Sequence, residues 1–171
     1  AWWKRNKELY MRGTEFSAFT AVMRTHEAKG HSGWTWDSDE ETLQHFGKYS
    51  RIHAALKPYI KKALQEYQDL GVPLVRHPYL HYEEDLTFHQ KKPRSLQYEY
   101  LFGRDLFVAP VYLEGKTERK LYLPEDDWVH LWTGKEYQGG WTTVPAPPGE
   151  IPVFYRKDSE HAKTFQKLPS V

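Results

Sequence analysis

Apolar positions follow helical spacing in the first part of the chain and short strand-like runs in the last. Residues 6–19 place Leu9, Phe16 and Phe19 on one face of a helix that Asn6 is suited to cap. Gly13 sits inside that helix, where it costs about 1 kcal/mol against Ala. Residues 21–26, Ala-Val-Met-Arg-Thr-His, read as a short buried strand with a polar end, followed by a loop over 28–37. Ser38 with Glu41 three positions later forms a capping box, so a helix is expected to start there. Leu43, Phe46, Ile52, Leu56 and Ile60 continue an apolar stripe that Gly71 and Pro73 close. Pro58 interrupts it, predicting two helices, or one kinked helix, meeting near 56–58. Residues 73–80 read as a second buried strand and 96–101 as a short helix.

This order of helix, strand, long helix, strand is the rhythm of a parallel α/β fold. Two strands cannot close a barrel, which needs eight and typically about 250 residues, so the segment is at most part of one. From Leu106 the pattern changes to strand-like runs at 106–111, 120–123, 129–132 and 151–156, with Gly139-Gly140 read as a turn. Their spacing suggests a small antiparallel β-sandwich. The expected organisation is therefore α/β over residues 1–105 and all-β over 106–171, with a polar, loose tail from 157.

With 171 residues, the chain can bury roughly 70% of the surface its unfolded form exposes. Lys and Arg number 24 against 23 Asp and Glu. That balance gives no electrostatic reason to expect nucleic acid or an anionic membrane as partner. The chain has no cysteine, which excludes disulfides, thiolate metal sites and cysteine nucleophiles. No apolar run approaches the ~20 residues of a membrane span and no signal peptide opens the chain, so a soluble, cytoplasmic protein is expected. Aromatic residues make up 16%, yet the mean hydropathy is −0.80. Such chains often handle sugars, because rings stack on the apolar face of a pyranose; the alternative is that the rings fill the core.

Most candidate chemistry fails on spacing. His26-Glu27 lacks the second histidine of a zinc-protease motif, since position 30 is Gly and the next histidine is His31. His77 and His81 flank Pro78, and on a strand they stand about 13 Å apart, too far to share an ion. Glu83-Glu84-Asp85 reads as a solvated loop, because neighbouring side chains on an extended chain point to opposite sides. No phosphate-binding glycine loop and no Gly-x-Ser-x-Gly elbow occurs. One constellation remains. Arg24 and His26, two apart on a short strand, share a face at that strand's C-terminal end, where barrel folds gather their sites, and Trp34 and Trp36 follow on the next loop. These four either grip a sugar by hydrogen bonds and ring stacking, or are a core arginine, a capping histidine and packing indoles.

The same residues resemble the C-terminal part of glycoside hydrolase family 31, the α-glucosidases and α-xylosidases. Glu8-Leu9-Tyr10-Met11-Arg12 through Phe19, then Met23-Arg24-Thr25-His26, is similar to the helix and strand carrying the family's Arg-x-His substrate-binding element. The run from Tyr98 to Val111 resembles the barrel-exit signature. Leu121-Tyr122-Leu123-Pro124, Trp128 and Leu131-Trp132-Thr133-Gly134 resemble the following β-domain. The likeness covers residues 7–156.

The resemblance implies a (β/α)₈ barrel and retaining hydrolysis by two aspartates about 5–5.5 Å apart. Both family motifs for those aspartates are absent, so no catalytic residue is expected in this chain. The implied roles are substrate binding for Arg24 and His26 and subsite shaping for Trp34 and Trp36, with no metal and no organic cofactor. The implied partners are an α-glucoside or α-sulfoquinovoside and the missing N-terminal part of the barrel. Arg24-Thr25-His26-Glu27 resembles the sulfoquinovosidase branch more than the usual Arg-Asn-His form, whereas Gly13-Thr14 departs from the family's Arg-Trp pattern. The expected function is that of a retaining α-glucosidase-type enzyme. A sulfoquinovosidase, or a non-catalytic carbohydrate-binding or structural module, is the alternative.

Overall fold

The computed structural model describes residues 5–25, 33–89 and 94–171. Three helices come first: α1 (Lys7–Ala18), α2 (Glu40–Ala55) and α3 (Lys57–Leu70). Six strands follow: β1 (Val75–Arg76), β2 (Tyr100–Phe102), β3 (Leu106–Val108), β4 (Glu118–His130), β5 (Glu136–Pro145) and β6 (Val153–Arg156). A short helix, α4 (Ala162–Phe165), lies near the C-terminus.

The helix boundaries follow local chemistry. Asn6 caps α1, its side chain accepting from the Leu9 amide at 2.8 Å. Asp39, not Ser38, caps α2 by accepting from Thr42 N at 2.8 Å, while Ser38 Oγ accepts from Thr35 N in the preceding turn. Helices α2 and α3 meet at Leu56, and Pro58 falls in the first turn of α3, where its missing N–H costs nothing.

The buried faces differ from the expected stripes. Phe19 is fully buried, but Leu9 and Phe16 are 54% and 43% exposed. Leu43 is also exposed, and α2 turns Thr42, His45, Tyr49 and Ile52 inward instead. Polar anchors select these faces. Arg12 Nη2 donates to the carbonyls of Lys116 (2.8 Å) and Ala146 (2.9 Å), and Nη1 to Pro147 O and Glu15 Oε2. Glu15 Oε1 accepts the Gly149 amide at 2.6 Å. His45 Nε2 lies 3.1 Å from the Met11 carbonyl, which can only accept, so that nitrogen carries the proton.

The six strands form a single antiparallel sheet in the order β1-β2-β3-β6-β4-β5. This corrects several expectations. No parallel pair, and so no piece of a barrel wall, exists among the described residues. The expected strand over 73–80 shrinks to Val75–Arg76 before a 3₁₀ turn, and the helix expected over 96–101 is a 3₁₀ turn leading into β2. Residues 21–25 lie in no strand, since none of the described strands pairs with them, and Val22 is 69% exposed; His26 lies outside the described residues. The sheet also crosses residue 105, with Leu101 opposite Phe107.

Both faces of the sheet are covered at β2, β3 and β6, which is why these strands read as continuous apolar runs rather than alternating ones. Phe102, Leu106, Val108, Val153 and Tyr155 face the helices with Ile52, Leu56 and Tyr59. Leu101, Phe107 and Phe154 face the other way and pack with Leu121, Leu123, Trp128 and Val144. The inward positions of β4 change from odd (121, 123) to even (128) across a register shift between Leu123 and Asp127. Gly139-Gly140 is therefore no turn but the part of β5 opposite that shift. A Cβ at Gly139 would come within 2.6 Å of Glu125 Cα, so only glycine lets the two backbones approach. The sandwich expected for this region is thus one sheet whose long hairpin bends at the shift.

Tyr59 joins helices, sheet and tail. Its hydroxyl donates to Phe102 O (2.7 Å) and accepts from Asp105 N (2.9 Å). A Cβ at Gly103, where φ is 62°, would meet that oxygen at 2.2 Å. Phe165 packs edge-on against the Tyr59 ring at 5.1 Å. The tail expected to be loose instead buries Phe165 and Leu168, three apart on a helical turn, in the main core.

Two outcomes follow for stability. Gly13 lies in mid-helix, exposed, with nothing within 4 Å of an added Cβ, so Gly13→Ala should stabilise the protein by about 0.5–1 kcal/mol, read as a higher urea midpoint at unchanged slope. His45 and His130 are both buried, and burial holds each imidazole down at about 4, against 6.5 when free. The unfolded chain then takes up protons first, and stability falls as pH drops from 6.5 to 4, by up to about 3 kcal/mol per histidine. Glu15, whose carboxyl burial raises, works in the opposite sense and offsets part of the loss on acidification. Urea midpoints from pH 7 to pH 4 should show the decline, and His130→Gln should flatten it.

Candidate functional site

The segment leaving α1 carries Arg24, which is exposed. It lines a recess of about 160 Å³ together with Leu9, Tyr10, Gly13, Met23 and Phe46. Gly13 thus occupies the recess wall, where its missing side chain leaves space beside Arg24. Phe46, from α2, also packs against Trp36 with ring centroids 6.4 Å apart. Trp36 keeps 41% of its surface exposed. Arg24 and Trp36, distant from each other in sequence, therefore both border Phe46.

Trp34 is held differently. Its amide donates to Arg5 O (2.8 Å) and its carbonyl accepts from Arg5 Nε (2.7 Å). Its indole Nε1 donates to the buried Thr42 Oγ1 at 2.9 Å. Lys7 lies over the indole at 5.7 Å and binds Asp39 (2.6 Å) and Glu41 (2.5 Å). The Lys7 hydrogen bond, with that of Thr42, holds the Asp39 carboxyl down at about 2. Trp34 therefore anchors the loop to α2, leaving Trp36 as the indole with a free face. His26 lies outside the described residues.

His77, His81 and Asp85, singled out in the sequence, have structural partners. His77 Nδ1 accepts from Tyr79 N, as a capping residue. Arg76 Nη1 donates to His81 Nε2 at 2.8 Å, and burial with the neighbouring guanidinium keeps that ring neutral. Asp85 accepts from Thr87 N and the Tyr122 hydroxyl. No group of three or more His, Asp or Glu among the described residues is placed to hold a metal ion. A cleft of about 620 Å³ lies beside Tyr59, Glu66, Arg104, Arg156 and His161. Its charges are largely cross-paired, Lys62 with Glu160 and Arg156 with Asp158.

Arg24 thus lines a small recess with no carboxylate among its described lining, while Trp36 lies outside that lining on the other side of Phe46. The role of Phe46 was not legible in the sequence, where it read only as one member of an apolar stripe.

Residues 71–159 match the model of the glycosyl hydrolase family 31 C-terminal domain. The chain is 48% identical over 169 residues to the sulfoquinovosidase of Escherichia coli K12, covering 98% of this chain and 24% of that protein. It is 28% identical to alpha-glucosidase 2 of Bacillus thermoamyloliquefaciens, over 90% of this chain and 19% of that protein. Among solved structures, a family 31 sulfoquinovosidase from E. rectale bound to an aza-sugar inhibitor superposes with a TM-score of 0.91 at 43% identity, covering 98% of this chain and 24% of that one. The chain thus spans about a quarter of the length of these relatives. No helix among the described residues is long and apolar enough to cross a membrane. From residue 71 onward the match is to one domain, and before it the likeness to whole enzymes continues: this chain belongs to glycoside hydrolase family 31.

Proposed function

We propose that this chain is part of a retaining α-glycoside hydrolase whose substrate is an α-sulfoquinovoside. The carrying observation is the 48% identity to a sulfoquinovosidase along nearly the whole chain, against 28% to an α-glucosidase. It favours the sulfoquinovosidase branch over the α-glucosidase expected first from sequence. In this reading residues 7–70 form the helical edge of the (β/α)₈ barrel and the sheet from residue 71 is the adjoining domain. The division falls earlier than residue 105 because β1 and β2 pair into the sheet. Exposed Leu9, Phe16 and Val22 on and after α1 fit a surface that the remainder of the barrel covers. A cytoplasmic location belongs to the same reading.

Arg24 and His26 hold hydroxyls of the reacting sugar, and Trp36 shapes the edge of its subsite while Trp34 fixes the loop. The nucleophile and the acid/base are aspartates outside this chain, and the double displacement needs only carboxylates and water. The protein containing this chain should hydrolyse an aryl α-sulfoquinovoside with a kcat/KM well above that for the matching aryl α-glucoside. Preference for the glucoside would return the reading to an α-glucosidase, and turnover of neither would leave a binding module.

His26→Ala should lower kcat/KM at unchanged melting temperature. Losing one hydrogen bond to a sugar hydroxyl costs about 0.5–1.5 kcal/mol, and more where the contact tightens in the transition state. A lower melting temperature with unchanged kcat/KM would make His26 structural.

A further inference from the structure

The outer face of the β4–β5 hairpin carries a feature the proposed reaction does not use. Tyr122 and Trp141 stand opposite each other in register, their rings edge-to-face at 5.3 Å. Among the described tryptophans only Trp36 and Trp141 are exposed, and Trp141 keeps 45% of its surface open. Beside the pair, the register shift in β4 opens a groove of about 490 Å³ lined by Tyr122, Glu125, Asp127, Gln138 and the two glycines of β5. The side chains of Glu125, Asp127 and Gln138 make no hydrogen bond or ion pair among the described residues.

The platform is braced from behind. Tyr122 donates its hydroxyl to Asp85 Oδ2 at 3.0 Å and packs against Phe88 at 5.5 Å. Asp126, also at the groove, accepts from Tyr82 and pairs with Arg156 at 2.9 Å. A cross-strand aromatic pair stabilises a hairpin by itself. That role does not account for an indole left half open beside three unengaged polar side chains.

We propose that this surface binds a neutral oligosaccharide. A pyranose presents an apolar C–H face to the Trp141 indole, and its rim hydroxyls donate to Glu125 and Asp127 and exchange hydrogen bonds with Gln138. The groove is within the ~300–1,000 Å³ range of small-molecule sites. Charge sets the ligand class: Glu125 and Asp127 repel a sulfonate or phosphate, while Asp126 is neutralised by Arg156. Lys120 lies over the indole at 5.2 Å, and its single positive charge leaves the surface net negative beside Glu125 and Asp127. The surface is thus matched to uncharged glycans rather than to the anionic sugar proposed for the reaction.

The test is calorimetric titration of the intact protein with maltotriose, with methyl α-sulfoquinovoside as the anionic comparison. Saturable maltotriose binding is expected, weakened at least about tenfold by Trp141→Ala, with kcat/KM on the aryl substrate unchanged. If Trp141→Ala does not fold, the Glu125→Gln, Gln138→Ala double variant must weaken binding several-fold at an unchanged melting temperature. Absence of saturable maltotriose binding overturns the proposal. So does maltotriose affinity that survives Trp141→Ala or, where that variant does not fold, the double variant, or that is lost instead on Arg24→Ala. Trp141-dependent binding of methyl α-sulfoquinovoside would also overturn it, by removing the charge argument. Because the readout is binding, failure here is distinct from failure of the hydrolase reading.

Discussion

A guanidinium buried in a cage of carbonyl oxygens holds the two parts of this chain together. Arg12 lies on α1, yet three of its acceptors, at Lys116, Ala146 and Pro147, belong to the connections around the β4–β5 hairpin. Glu15, one turn further along, reaches the same connections through Gly149. Breaking a buried pair of this kind typically costs about 3–5 kcal/mol, because the surviving charge is left without water or partner. That cost outweighs the gain from turning Leu9 or Phe16 inward, at about 1.5–3 kcal/mol for a fully buried side chain. The rotation of α1 about its axis follows from this balance, and with it the direction in which the chain leaves toward Arg24.

The same logic recurs at lower charge. Tyr59 is surrounded by apolar rings, but its position is set by the two hydrogen bonds it makes to the β2–β3 turn. Burial raises its hydroxyl well above the ordinary phenol range, so it stays a neutral donor and acceptor. The C-terminal tail then has a ring to pack on, and Phe165 closes the helical side of the core. On the opposite face a second buried pair, Arg119 with Glu99 at 3.4 Å, lies beneath the hairpin, and burial pushes that carboxyl up to about 8. Polar groups thus decide register and rotation in a core whose volume is aromatic and aliphatic.

This scaffold explains the division of labour between the two loop tryptophans. Trp34 spends its only donor on Thr42 and its backbone on Arg5, so it is committed to holding the loop. Trp36 packs against Phe46 and keeps 41% of its surface exposed. Gly13 lies in the wall of the recess next to Arg24, at a helix position where an added Cβ would meet nothing within 4 Å.

Local chemistry made much of the chain legible in advance: the cap at Asn6, the break at Pro58, the end of α3 at Gly71, and the runs that became β3, β4 and β6. The resemblance of Arg24-Thr25-His26-Glu27 and of the later strand motifs to family 31 was legible too, because these are short contiguous patterns. What the sequence left open depended on partners far along the chain. The apolar stripe of α2 passed over Thr42 and His45, because the Trp34 indole and the Met11 carbonyl that satisfy them are far along the chain. Residues 21–25 read as a strand from composition, but a strand needs a second backbone beside it, and none of the described strands lies in register with them. The tail read as loose because Phe165 and Leu168 are apolar residues scattered among charges until Tyr59 and Tyr155 meet them. Gly139-Gly140 read as a turn because glycine marks both chain reversal and close backbone approach. Only the placement of Glu125 against Gly139 separated the two.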